Sequence, residues 1–166
     1  MHSFKAFAYG PLCLKQAVCN LPDISFTYTM AAQAGYSNTS LVKKLGIKAG
    51  FKIRFVDPPE HYLDLLEGLP ADIEVFEEPT SGVDFVHYFT KQAAALERDL
   101  AALKTQIVSN GTIWISWPKK ASKVPTDVTE DVIRNLALSI GLVDVKVCAV
   151  DAVWSGLKLV IRVKDR

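Results

Sequence analysis

Six residues near the middle of the chain, Thr112-Ile113-Trp114-Ile115-Ser116-Trp117, form a nearly continuous apolar run between Asn110-Gly111 and Pro118. The run is too short for a helix and rich in β-branched and aromatic side chains. It therefore predicts a central strand covered on both faces. A sheet buried on both faces needs helices on both, and parallel strands joined by crossover helices supply them.

The segments around this run agree. Asn38 or Thr39 is positioned to cap a short helix carrying Leu41, Val42 and Leu45, with Gly46 as its end. Phe51 to Val56 alternates as a strand. Asp57-Pro58-Pro59-Glu60 then offers a capping carboxylate, a proline at the first helical position and an acidic residue three after the cap. That pattern predicts a helix bearing Tyr62, Leu65 and Leu66 and ending at Gly68. Ile73 to Phe76 and Val83 to Phe89 read as further strands.

Thr90 is the expected cap of a helix with Ala93, Leu96, Leu100, Leu103 and Ile107 at helical spacing. A polar loop from Pro118 to Lys123 leads to a helix expected to be capped by Thr126 or Asp127, with Val128, Val132, Ile133, Leu136 and Ile140 inward and Gly141 closing it. Two alternating strands, Val143 to Val150 and Leu157 to Val163, end the chain as a hairpin. The last strand is expected to be exposed.

This order predicts an α/β, Rossmann-like, mostly parallel sheet with a C-terminal antiparallel hairpin and helices on both faces. The hairpin makes it resemble the class I methyltransferase topology, because dinucleotide-binding Rossmann domains usually end in parallel strands.

Charge and cysteine content narrow the function classes. With 19 basic and 18 acidic residues in 166, no global field draws the chain to nucleic acid or an anionic membrane. The three cysteines, Cys13, Cys19 and Cys148, and the three histidines, His2, His61 and His87, lack metal-site spacing, so neither a metal nor any other cofactor is expected. No run reaches the length of a membrane span, and a cytoplasmic location is expected. Residues 1–29 carry no sustained period, and the next methionine is Met30. Two readings follow: Met30 is the natural start and residues 1–29 an upstream translation artefact, or they are a loosely ordered arm. Residues 30–166 are read as one domain.

Several stretches carry a longer resemblance: Ala34-Gly35-Tyr36-Ser37, Leu45-Gly46-Ile47-Lys48, Ser116-Trp117-Pro118-Lys119-Lys120, Thr126 to Asp131, Gly141 to Asp151 and Trp154-Ser155-Gly156-Leu157-Lys158. On these the chain resembles an uncharacterised bacterial family, domain of unknown function 3052. The resemblance implies a cytoplasmic bacterial protein and assigns no activity.

In a working methyltransferase the turn after the first strand is glycine-rich, so that backbone approaches S-adenosylmethionine closely. Here it is Val56-Asp57-Pro58-Pro59, which removes two amide donors and adds bulk. Glu77 or Glu78 would stand where an acidic residue holds a ribose. The candidate ligand site is therefore placed at the carboxyl edge of the sheet, bordered by Asp57, Trp117, Lys119, Lys120, Thr126, Asp127 and Trp154.

Lys119, Lys120 and Lys123 beside a helix start suit a small anion or nucleotide. The rival reading pairs them with Asp127, Glu130 and Asp131. Arg134 is expected to pair with Asp131 or Asp127. Cys148 reads as a small buried side chain, His87 as a hydrogen-bonded interior histidine, and Ser116 as lacking a base nearby in sequence. The leading expectation is a non-catalytic binding module for a small anionic ligand or nucleotide. The alternatives are a protein-interaction domain using the exposed last strand, and a small-molecule methyltransferase dependent on S-adenosylmethionine.

Overall fold

The computed structural model describes residues 39–166. The expectations for residues 1–29, including Cys13, Cys19 and His2, and the start at Met30 lie outside the described residues, as does Asn38. The strands are β1 (Lys52–Val56), β2 (Glu74–Phe76), β3 (Val83–Phe89), β4 (Ile107–Pro118), β5 (Leu142–Ala149) and β6 (Trp154–Ile161), and the helices are α1 (Leu41–Leu45), α2 (Ala93–Gln106) and α3 (Glu130–Ser139). The strands form one sheet in the order β2-β1-β3-β4-β6-β5. β2, β1, β3 and β4 pair in parallel, and β6 lies antiparallel to both β4 and β5. This is the mostly parallel α/β sheet with a C-terminal antiparallel hairpin that the sequence order predicts.

The last strand is not exposed. β6 inserts between β4 and β5, and β5 is the sheet's edge among the described residues. Burial explains the placement. Leu157 and Leu159 of β6 are fully buried, whereas Val145, Lys146 and Val147 of β5 are exposed. The strand with more apolar surface to hide takes the interior position.

Alternation along β3 and β4 sorts side chains onto two faces. Val86, Tyr88, Ile113, Ile115 and Trp117 join Leu96, Leu100 and Leu103 of α2 and Ile133 and Ala137 of α3. Phe85, Phe89, Trp114 and Trp154 join Leu41, Val42 and Leu45 of α1 with Tyr62 and Leu66. Among the described residues the second face is covered without a long helix. The helix expected from Asp57 to Gly68 is only a 3-10 turn, Leu63–Leu65. Asp57 has φ 50, left-handed rather than the extended backbone of an N-cap, so the capping pattern cannot operate.

Three other expected boundaries move. α1 begins after Ser40 rather than Thr39, without a side-chain cap. β4 starts at Ile107, directly after α2, and Asn110-Gly111 lies within it. Between Val83↔Ile107 and Phe85↔Thr112, β3 advances two residues and β4 five, so three residues of β4 bulge out. α3 starts at Glu130, with the Thr129 hydroxyl accepting the Val132 amide at 3.3 Å. Thr126 and Asp127 serve another helix. Asp127 Oδ1 accepts the Ala93 amide at 2.7 Å, and the Thr126 hydroxyl donates to the Lys91 carbonyl at 2.8 Å. The α2 start is thus capped from 34 residues away, while Thr90 accepts only the Gln92 amide, at 3.2 Å.

Candidate functional site

From β1 the chain passes to β2 on one side, and from β3 to β4 on the other, so the carboxyl ends of β1 and β3 flank the switch point of the sheet. A cleft of about 420 Å³ opens there, lined by Asp57, Phe89, Thr90, Lys91, Arg98 and Trp154 among others. The backbone positions these groups. Asp57 directly follows β1, Thr90 to Gln92 bridge β3 and α2, and Arg98 lies further along α2. Trp154 starts β6 beside Pro118, its antiparallel partner at the end of β4.

The cleft mixes charge and aromatic surface. Lys91 Nζ stands 6.0 Å from the centroid of the Trp154 ring, and Phe89 meets that ring edge-on at 5.2 Å. Among the described residues Lys91 has no carboxylate partner. Arg98 is engaged by Asp99, with Nε 2.8 Å from Oδ1. That hydrogen bond holds the Asp99 carboxyl below its ordinary range, and the Tyr88 hydroxyl also donates to Asp99, at 3.0 Å. Burial is the main cause raising the Tyr88 phenol. Lys91 is therefore the cation best placed to meet a ligand.

Of the residues expected from sequence, Asp57 and Trp154 stand in the wall of this cleft; Trp117, Lys119, Lys120, Thr126 and Asp127 are not among its lining. Trp117 points to the other face, into the core under α2 and α3. The Lys119 amide donates to the Val153 carbonyl at 2.7 Å and its Nζ to the Asp151 carbonyl, tying the end of β4 to the β5–β6 connection. Lys120 is exposed on a 3-10 turn, Lys120–Ser122. No ion pair among the described residues joins Lys120 or Lys123 to Asp127, Glu130 or Asp131. Arg134 pairs instead with Glu130, Asp131 and Asp144. Glu77 and Glu78 are exposed and do not line the cleft. Phe89, Thr90, Lys91 and Arg98 carry no motif that marks them as site residues, although Phe89 ends β3 and Thr90 and Lys91 directly follow it.

Behind the cleft lies a buried polar chain. His87 Nδ1 is 2.6 Å from the Tyr62 hydroxyl and Nε2 is 2.7 Å from Ser116 Oγ. All three residues are fully buried, and His87 stacks on Phe89 at 4.3 Å. Burial lowers the His87 pKa to about 3, so the ring is neutral near pH 7. Ser116, without a base nearby in sequence, finds one on the neighbouring parallel strand, but neither side chain reaches solvent. Gly156 makes room for this chain, since a Cβ there would lie 3.1 Å from the Trp114 ring and 3.2 Å from Ser116 Oγ. The Cys148 thiol is half-buried, and burial pushes its pKa up, away from nucleophilic character. Among the described residues no three metal-ligating side chains converge, and no helix is long and apolar enough to cross a membrane.

The sheet order and the inserted antiparallel strand are those of class I methyltransferases, and solved structures agree. A protein of Sulfolobus solfataricus described as a type 11 methyltransferase superposes with a TM-score of 0.55 at 14% identity, over 74% of this chain and 89% of that one. A SAM-dependent methyltransferase of Aquifex aeolicus gives 0.53 at 16% identity, over 74% and 88%. Magnesium protoporphyrin IX methyltransferase of Synechocystis PCC 6803, solved with bound SAM, gives 0.50 at 9% identity, over 74% of each chain. These likenesses establish a methyltransferase-like Rossmann fold. No protein-family model matches the chain, so its resemblance to the bacterial family of unknown function gains no support there, and no curated protein matches it.

Proposed function

We propose that this chain is a non-catalytic binding domain of methyltransferase fold, taking a small anionic ligand or nucleotide in the switch-point cleft. One observation carries the reading. At the edge where doubly wound sheets bind ligands, Lys91, without a carboxylate partner, stands over the Trp154 ring beside Phe89 and Thr90. The lysine would meet the anionic group, and the ring edges that line the cleft would meet a planar one. Asp57, also in the lining, would accept from an amine or hydroxyl. The cleft brings no nucleophile and base together, because the Ser116–His87 pair is sealed beneath Phe89.

A thermal-shift series of nucleotides and phosphorylated metabolites tests this. A ligand at about 100 times its dissociation constant stabilises by roughly 2.7 kcal/mol, and the shift should disappear in Lys91→Ala. If every hit survives that substitution, the cleft assignment is wrong.

The solved structures favour a second reading, methyl transfer from S-adenosylmethionine. That cofactor would supply an activated methyl group, and the test is whether the residues at the turn can cradle it. Asp57 with φ 50 retains the bend of a glycine turn, but Pro58 and Pro59 withdraw two amides. No carboxylate from the end of β2 lines the cleft. The residues do not fit the cofactor. Calorimetry decides between the readings: micromolar binding of S-adenosylmethionine would make the methyltransferase reading the leading one. The third alternative, a protein-interaction domain, rested on the absence of a catalytic set together with an exposed last strand, and β6 is interior.

A further inference from the structure

On the α1 face, away from the cleft, positive charge gathers without a counter-charge among the described residues. Lys146 of β5 and Lys158 of β6 are cross-strand partners, a juxtaposition that ordinarily destabilises a sheet when both residues carry the same sign. Lys158 is half-buried, and its Nζ approaches Gly46, the residue ending α1, to within 4.0 Å of where a Cβ would stand. Lys48 follows two residues later. Among the described residues no ion pair includes Lys48, Lys146 or Lys158.

The gathered charge acts on two groups of this face. The Lys158 ammonium is held below its ordinary pKa, first by burial and then by Lys146 and Lys48. At Cys148, the charges of Lys146, Lys44 and Lys119 act against the effect of burial. Part of the cluster has a structural role, since Lys146 Nζ donates to the Lys44 carbonyl at 3.1 Å near the C-terminal end of α1. Lys48 and Lys158 have no hydrogen-bond role of this kind among the described residues.

We infer that Lys48, Lys146 and Lys158 form a second anion site, which takes a phosphoryl group. The argument is one of charge density. A single carboxylate would leave most of the repulsion in place. A phosphate monoester or diphosphate carries about two charges or more and several acceptor oxygens, enough for several ammonium groups at once. The site is independent of the cleft, which none of the three lysines lines.

The full-length chain is titrated with inorganic pyrophosphate against sodium chloride at matched ionic strength, following melting temperature and calorimetric heat. Wild type should melt higher in pyrophosphate. Lys48→Gln, an exposed position, should weaken binding about tenfold, the scale of one lost charge-assisted contact, and Lys158→Gln should remove it. Without ligand both variants should melt at or above wild type, because each relieves repulsion. The site is refuted if wild type shows no pyrophosphate-specific shift, or if Lys48→Gln binds as wild type does. It is equally refuted if the ligand-free variants melt lower, which would make the lysines supports of the fold. A shift lost in Lys91→Ala but kept in Lys158→Gln would place the phosphoryl group in the cleft instead.

Discussion

The two faces of the sheet are held by different means. On one, α2 with 14 residues and α3 with 10 lay aliphatic side chains over Val86, Ile113, Ile115 and Leu157. On the other, a five-residue helix and a 3-10 turn cover the strands, and bulk comes from Phe85, Phe89, Trp114, Trp154 and Tyr62. Where the covering backbone is short, large rings bury more area per residue, and Tyr62 contacts Phe55, His87 and Phe89 edge-on. That face also carries the buried His87–Tyr62–Ser116 chain, whereas the helix face is packed mainly with aliphatic side chains. At the carboxyl edge the thin face borders the cleft through Phe89 and Trp154. Packing and the proposed ligand contact there share the same rings.

The largest expected effect tests how much rests on single rings. Trp114 is fully buried and its Nε1 donates to the Leu45 carbonyl at 3.0 Å, so it both fills the thin face and fastens α1. Trp114→Ala should cost about 4 kcal/mol, the middle of the range for such truncations. On the helix face, Leu100→Ala should cost about 3 kcal/mol, because neighbouring aliphatic chains share the load. Urea denaturation of both variants checks the order. A smaller loss for Trp114→Ala would show that the thin face repacks.

The next effect separates the faces by pH. His87 in the fold has a pKa near 3, against 6.5 when free, so between these values the unfolded chain binds the extra proton. The contribution is fully present above about pH 6.5 and is lost as pH falls toward 3. By pH 5 the loss should be about 2 kcal/mol, at roughly 1.4 kcal/mol per pH unit. Leu100→Ala should shift the stability curve by the same amount at every pH, while His87→Gln should flatten its slope. A slope unchanged in His87→Gln would move the titration elsewhere.

A third test concerns how the helix face is anchored to the cleft. Asp127→Ala removes the carboxylate that accepts the Ala93 amide and should cost about 1 kcal/mol, with Asp127→Asn recovering most of it. Equal melting temperatures for the Ala and Asn variants would deny Asp127 this role.

These cases show what the sequence made legible. Periodicity located α2 and the strands, because alternation and the spacing of Leu96, Leu100 and Leu103 are local properties of the chain. The position of β6 was not local. It depends on which of two alternating strands hides more apolar surface. The same holds for the site: Asp57 and Trp154 could be placed from strand ends and turns. Lys119 looked like a ligand residue until the carbonyl of Asp151, 32 residues on, became its partner. Asp127 looked like the cap of its own helix, and His87 and Ser116 meet only because β3 and β4 pair in parallel. Long-range pairing assigned those roles, and no spacing in the chain encodes it.

The smallest expected effect lies at the turn where the thin face meets the cleft. Asp57 has φ 50, a backbone that costs a non-glycine residue roughly 1 kcal/mol, though aspartate bears it better than most. It also precedes Pro58, which pushes the preceding residue toward extended backbone, so the turn is held against two local preferences. Replacement by glycine removes the steric cost but adds conformational entropy to the unfolded chain, which offsets part of the gain. Asp57→Gly should therefore stabilise by only about 0.5 kcal/mol, while Asp57→Ala, without the side-chain oxygen that eases the left-handed bend, should destabilise by about 1 kcal/mol. The opposite signs are the test, read as urea midpoints of the two variants. If alanine is neutral, the turn is unstrained, and the ligand proposed for the cleft becomes the reason for an aspartate there. If glycine and alanine both destabilise, the carboxylate itself supports the fold, and the thin face reaches the cleft through a polar contact rather than through its rings alone.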